Sequence, residues 1–205
     1  MEARLRLAAQ AAYELLLRQK VVDFPVDVET LIRRMPDVKL LTYKQAAAKL
    51  NMSQDELDWL FPSQDAFTLR AANENKRRYL ICYQSTMPPQ RRRFTLAHEL
   101  AHVLLEHDGE GSTVDREANC FAQHLICPRP LLRRASESHA PLSIGVLCQL
   151  FGASPAFIRQ VLSSSSPLPP DAPIEQQLSQ QLALVPLPDG VDTKPHGNSS
   201  LSVDA

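Results

Sequence analysis

Leu5, Ala8, Ala9, Ala12, Leu15 and Leu16 recur at three- and four-residue intervals near the start of the chain. That spacing puts them on one face and predicts a helix over about residues 2 to 19. A second helix is predicted after Pro25, with Val28, Leu31 and Ile32 turned inward and Pro36 closing it. Val38 to Tyr43 reads as a strand, and 44 to 61 as two short helices, the second opened by Ser53-Gln-Asp-Glu56, a capping-box pattern. Ala66 to Ala71 and Tyr79 to Gln84 are apolar-rich runs. The polar stretch Asn73 to Arg78 between them marks a hairpin turn with Lys76, Arg77 and Arg78 at a solvated tip. The three strands are expected to make a small antiparallel sheet.

Pro88-Pro89 opens the next helix, since proline is tolerated in a first turn. Its apolar face is Ala97, Leu100, Ala101, Val103, Leu104 and Leu105. A polar, glycine-bearing loop over 107 to 113 separates it from another apolar helix, about Val114 to Ile126, which Pro128 stops. Pro128 to Pro141 reads as a basic connection, and Leu142 to Leu162 as one or two closing helices. After Ser163 the pattern fades into serine and proline. The division expected is one domain over residues 1–162 and a mostly disordered tail over 163–205. Within that tail Ile174, Leu178 and Leu182 have the spacing of a short helix able to fold back. The fold class is therefore α+β, mainly helical with a three-stranded sheet.

Three polar groups interrupt the greasiest of these helices: Phe94-Thr-Leu-Ala-His98-Glu99-Leu-Ala-His102. Residues four apart lie nearly above one another on a helix, so His98 and His102 can reach one metal ion. Glu99 sits about 100° round the helix, positioned to handle the proton of a water on that metal. This H-E-x-x-H pattern is that of a zinc hydrolase, with zinc as cofactor. A catalytic zinc takes three protein ligands and leaves a position for water. The metzincin pattern would need glycine and histidine where Leu105 and Asp108 stand, and is excluded. His107 follows His102 too closely to close a tetrahedron easily. Asp115, Glu117 and His124 remain as third ligand, and Glu117, one turn into the next apolar helix, is the best placed.

Composition adds limits. The 205 residues are 44% hydrophobic with a formal net charge of −1, so bulk electrostatics favour neither a nucleic-acid nor a membrane partner. Two stretches have a helix-turn-helix outline, 44–61 and Gln149-Leu-Phe-Gly-Ala-Ser154. In the first, Asp55, Glu56 and Asp58 would face phosphates with the wrong sign; in the second, two helices packed on a core give the same pattern. Arg91, Arg92 and Arg93 oppose the helix dipole and read as solvated surface. Cys82, Cys120, Cys127 and Cys148 lack metal-binding spacing and sit among apolar residues, which fits reduced thiols. No run approaches the roughly 18 apolar residues of a membrane span, and a cytoplasmic location is expected.

The paired segments, Arg93-Phe94-Thr-Leu-Ala-His98-Glu99-Leu-Ala-His102-Val-Leu-Leu and Asp115-Arg-Glu117-Ala-Asn119-Cys-Phe121-Ala-Gln-His-Leu-Ile-Cys-Pro128, resemble the ImmA/IrrE family of metallopeptidases. The likeness extends more weakly over about residues 5 to 162. It implies zinc bound by His98, His102 and Glu117, with Glu99 as catalytic base. Two departures are visible: Asp115 stands where the family has glutamate, and Leu-Ile-Cys-Pro replaces Leu-Leu-Met-Pro.

The resemblance also implies a substrate, a helix-turn-helix transcriptional repressor in stress or mobile-element regulation. The alternative is a non-catalytic protein that sequesters or remodels such a repressor. An intact Glu99 favours the enzyme, because a structural zinc needs no general base. Tyr83, His124, His139 and the nearby arginines are the unranked candidates for stabilising the oxyanion.

Overall fold

The computed structural model describes residues 2–53, 56, 65–73, 76–109, 111–137 and 143–188. Helix α1 (Glu2–Arg18) buries Ala8, Ala9, Ala12, Tyr13, Leu15 and Leu16, the face its spacing defines. It is followed by α2 (Val28–Arg33), whose N-cap Asp27 accepts from the Thr30 amide. Then come β1 (Val38–Thr42) and α3 (Tyr43–Leu50), and Thr42 with Gln45 forms a reciprocal capping box between them. Glu56 and Ser53 make the same exchange of hydrogen bonds, as their spacing predicts. The rest of the second expected helix in that stretch lies outside the described residues.

Strands β2 (Ala66–Asn73) and β3 (Lys76–Tyr83) form the hairpin, with Asn73 opposite Lys76. The strands run further than expected, so Lys76, Arg77 and Arg78 belong to β3 and not to a loop tip. The sheet order is β1-β3-β2. It is mixed: β2 and β3 are antiparallel, but β1 runs parallel to β3, with Val38 opposite Tyr79 and Leu40 opposite Ile81. The antiparallel expectation therefore fails for β1. Parallel neighbours need a crossover, and the chain that includes α3 provides it, carrying β2 to the far edge so that β3 returns into the middle.

Alternation along β3 divides the sheet's faces. Ile81 and Tyr83 enter the main core, whereas Cys82 joins Tyr43 and Ala46 of α3 in a small second cluster. On the main face lies α4 (Pro89–Leu104), and α5 (Ser112–Ile126) follows it in the chain. Between α1 and α4, α5 packs on both and buries Ala118, Phe121, Ala122 and Leu125 completely. Burial of each large side chain contributes about 2 kcal/mol, which makes this helix the centre of the core.

Residues 129–136 form α6 (Arg129–Ser136), where a connection was expected. Pro128 is its N-cap and Pro130 lies in its first turn, positions that ask for no amide donor. Then follow α7 (Ile144–Phe151) and α8 (Pro155–Ser163), bent by 102° about Gly152. Their buried Phe151, Ile158 and Val161 join the main core. No single described helix is long and apolar enough to cross a membrane.

The stretch after residue 163, expected to be mostly unstructured, carries α9 (Pro173–Leu182). Leu178 and Leu182 are buried against α1 and α6. Gln181 donates to the carbonyls of Leu16 and Val21 at 3.1 and 2.9 Å. The fully buried Glu175 accepts from Arg133. Helix α9 therefore packs on the same core as α1 and α6, and residues 189–205 lie outside the described residues.

Candidate metal centre

Helix α4 carries His98 and His102 one turn apart, with ring centroids 4.9 Å apart. Its lower turns are fixed from outside by the three arginines that sequence alone reads as solvated surface. Arg91 pairs with Asp65 at 2.6 Å and Arg92 with Glu29 at 2.9 Å. Arg93 donates to the carbonyls of Val26 and Gly152. They tie α4 to its neighbours, which explains positive charge at a helix start where the dipole disfavours it.

His98, His102 and Asp115 bring their ligand atoms within 4.8 Å of one another. His98 Nε2 is 4.0 Å from Asp115 Oδ1. The other nitrogen of each imidazole is occupied: His98 Nδ1 bonds Asn119 Oδ1 at 2.9 Å, and His102 Nδ1 bonds His107 Nδ1 at 3.1 Å. Tying back Nδ1 leaves Nε2 as the nitrogen each histidine can offer a metal. Burial, with His98 and His107 adding to it and Asp115 opposing, pushes the His102 imidazole down to about 4. It is neutral at pH 7, the form that ligates. Two imidazoles and a carboxylate converging on one point suit zinc or a similar divalent ion.

Glu117, expected as the third ligand, points elsewhere. Its Oε2 faces His107 Nε2 at 3.2 Å and its Oε1 accepts from Arg4 of α1 at 3.3 Å. Its side chain is 7% exposed, against 54% for Asp115. The reason is helical phase. Asp115 and Asn119 are four apart and share the face of α5 that meets α4, whereas Glu117 stands about 200° round from Asp115, toward α1. The signal in the sequence is the four-residue spacing of Asp115 and Asn119, which puts both on one face of the helix, the face that the structure turns to His98.

Glu99 faces the same cleft, of about 510 Å³, which Thr68, Arg70, Tyr79, His107 and Asp115 also line. The Thr68 hydroxyl donates to Glu99 Oε2 at 2.7 Å. Arg70, also on β2, pairs with Asp108 at the rim.

His107, which follows His102 closely in the chain, nevertheless lies beside its ring, with Nδ1 3.1 Å from His102 Nδ1. It reaches His102 through a Schellman end of α4, in which the His107 amide bonds the His102 carbonyl at 3.1 Å and the Glu106 amide bonds that of Val103 at 3.3 Å. Glu106 adopts φ +52 to make this turn, a conformation usually marked by glycine, and no glycine stands here.

Of the oxyanion candidates, Tyr83 bonds Glu29 at 3.3 Å, and His124 is buried with the Cys120 carbonyl at 2.8 Å and Ser166 at 3.3 Å. Neither lines the cleft, and His139 lies outside the described residues. All four cysteines are free. Burial pushes Cys82 and Cys120 up to about 11, the reverse of an activated thiol.

A histidine pair and carboxylates on two packed helices beside a small sheet define a metallopeptidase-type domain. Residues 57–163, just over half of the chain, match the IrrE N-terminal-like domain, a peptidase family, and the protein belongs to that family. The match spans β2 to α8 and omits α1 and α9. Comparison with curated proteins gave no match.

Proposed function

We propose that the protein is a zinc-dependent endopeptidase of the H-E-x-x-H type, with the metal held by His98, His102 and Asp115, and Glu99 as general base. The observation that carries this reading is that three donors within 4.8 Å of one another and the Glu99 carboxylate border one open cleft. A structural metal would need neither the opening nor the base. Zinc, when bound, supplies Lewis-acid polarisation of the scissile carbonyl and acidifies water.

Glu99 takes the proton of the attacking water and passes it to the leaving amine nitrogen, so the peptide C–N bond breaks as the new C–O bond forms. Thr68 holds one oxygen of that carboxylate while the other face of the cleft stays open to substrate. Asn119 fixes the His98 ring, so that its Nε2 needs no reorientation when substrate arrives. Because β2 is the edge of the sheet and borders the cleft, an extended substrate segment laid along it would present its backbone to Glu99.

The substrate class follows from the family resemblance: a helix-turn-helix repressor, cleaved in the cytoplasm to release stress or mobile-element genes. Incubation of the purified protein with the helix-turn-helix protein encoded beside it, with and without chelator, tests this. Cleavage lost on chelation and in Glu99→Gln supports the reading; cleavage that survives both overturns it. A stable complex without cleavage identifies a sequestering protein instead.

A further inference from the structure

We propose that His107 and Glu117 form a hydrogen-bond relay that selects the metal-binding tautomer of His102, with Arg4 of α1 anchoring its outer end. The inference rests on the metal-centre reading above. It makes Glu117 a positioning residue behind the site and brings the N-terminal helix, outside the family match, into its support.

Three contacts form one chain: His102 Nδ1 to His107 Nδ1 at 3.1 Å, His107 Nε2 to Glu117 Oε2 at 3.2 Å, and Arg4 to Glu117 Oε1 at 3.3 Å. Proton counting then leaves one arrangement for two neutral imidazoles. A carboxylate only accepts, so His107 must carry its proton on Nε2 and donate it to Glu117. Its Nδ1 is then a bare acceptor, and the facing His102 Nδ1 must donate. With its proton on Nδ1, His102 presents the lone pair of Nε2. Were His107 protonated on Nδ1 instead, its Nε2 lone pair would face the carboxylate, two acceptors in contact, and His102 would carry its proton on the nitrogen the metal needs.

Burial gives the relay its force. The side chains of His107 and Glu117 are only 5% and 7% exposed, so water does not substitute for a lost bond. The Schellman turn at Glu106 fixes where His107 begins, and α5 fixes Glu117. His98 is held differently, by the neutral amide of Asn119; only His102 is oriented through a chain that ends on a charge.

The test is zinc affinity of the full chain by competition with a chromophoric chelator, with Co²⁺ absorption as a second readout and far-UV circular dichroism to confirm folding. Glu117→Gln and His107→Gln are each expected to weaken zinc about 10- to 100-fold, with one zinc still bound at saturation and the Co²⁺ visible band retained. Because the two act in series, the double variant is expected to lose no more than His107→Gln alone. Asp115→Ala is expected to lose the Co²⁺ band. Unchanged affinity in both single variants overturns the relay, as do additive losses in the double variant. A Co²⁺ band lost in Glu117→Gln but kept in Asp115→Ala makes Glu117 a ligand and also overturns it. A wild-type chain that binds neither metal fails the metal-centre reading itself, and the relay with it.

Discussion

The Thr68 hydroxyl donates to Glu99 Oε2 across 2.7 Å, joining the edge strand of the sheet to the helix that carries the histidines. A hydrogen bond to an ionised group is worth roughly 1.5–3 kcal/mol. If that bond aims the base, Thr68→Val lowers the cleavage rate about 10- to 100-fold while zinc content stays at the wild-type level. Single-turnover kinetics alongside metal analysis separates the two effects. A loss of zinc in this variant would place Thr68 in the fold of the centre and not in its chemistry.

His124 predicts how stability depends on pH. Burial pushes its imidazole down to about 4, with the Cys120 carbonyl opposing and Arg129 adding to the shift. Its ordinary value is about 6.5. Above that pH neither the folded nor the unfolded form holds the extra proton, and the contribution is complete. As pH falls the unfolded chain takes the proton first, so stability is lost between about 6.5 and 4. The loss amounts to about 2 kcal/mol by pH 5. Urea unfolding of metal-free protein at pH 7 and pH 5 is expected to show a smaller fall in His124→Gln than in wild type. Equal falls would mean that His124 is not held neutral.

Gly152 ends α7 at φ +56, and a Cβ there would sit 2.7 Å from the Pro25 Cβ and against the Arg93 guanidinium. Gly152→Ala therefore combines a left-handed backbone cost with a clash at the site where Arg93 anchors α4. A destabilisation of about 1–3 kcal/mol is expected, read as a lower urea midpoint with an unchanged slope. A variant as stable as wild type would show that Arg93 can leave the Gly152 carbonyl freely.

How much of this was legible in the sequence depends on the kind of signal. His98, Glu99 and His102 follow from helical period alone, because one unbroken helix fixes their relation. Which carboxylate of α5 lies beside His98 and His102 depends on which face of α5 meets α4. Apolar neighbours favoured Glu117, but its partner there is α1, and the phase that matters is shared by Asp115 and Asn119.

His107 needed a left-handed residue that glycine does not mark, and the parallel pairing of β1 needed the path of a crossover. Helix α6 was hidden by Pro128 and Pro130, which read as loop although a helix start accepts both. Leu178 and Leu182 had the right spacing for α9, but their partners on α1 lie far away in the chain, and composition alone favoured a tail.

Metal analysis of purified variants bears most directly on the centre itself. Wild type and Glu99→Gln are expected to carry one equivalent of zinc, and Asp115→Ala to carry almost none, since removing one of three ligands leaves two histidines to hold the ion. Full zinc occupancy in Asp115→Ala, with loss in Glu117→Gln, would contradict the assignment and return the third ligand to Glu117.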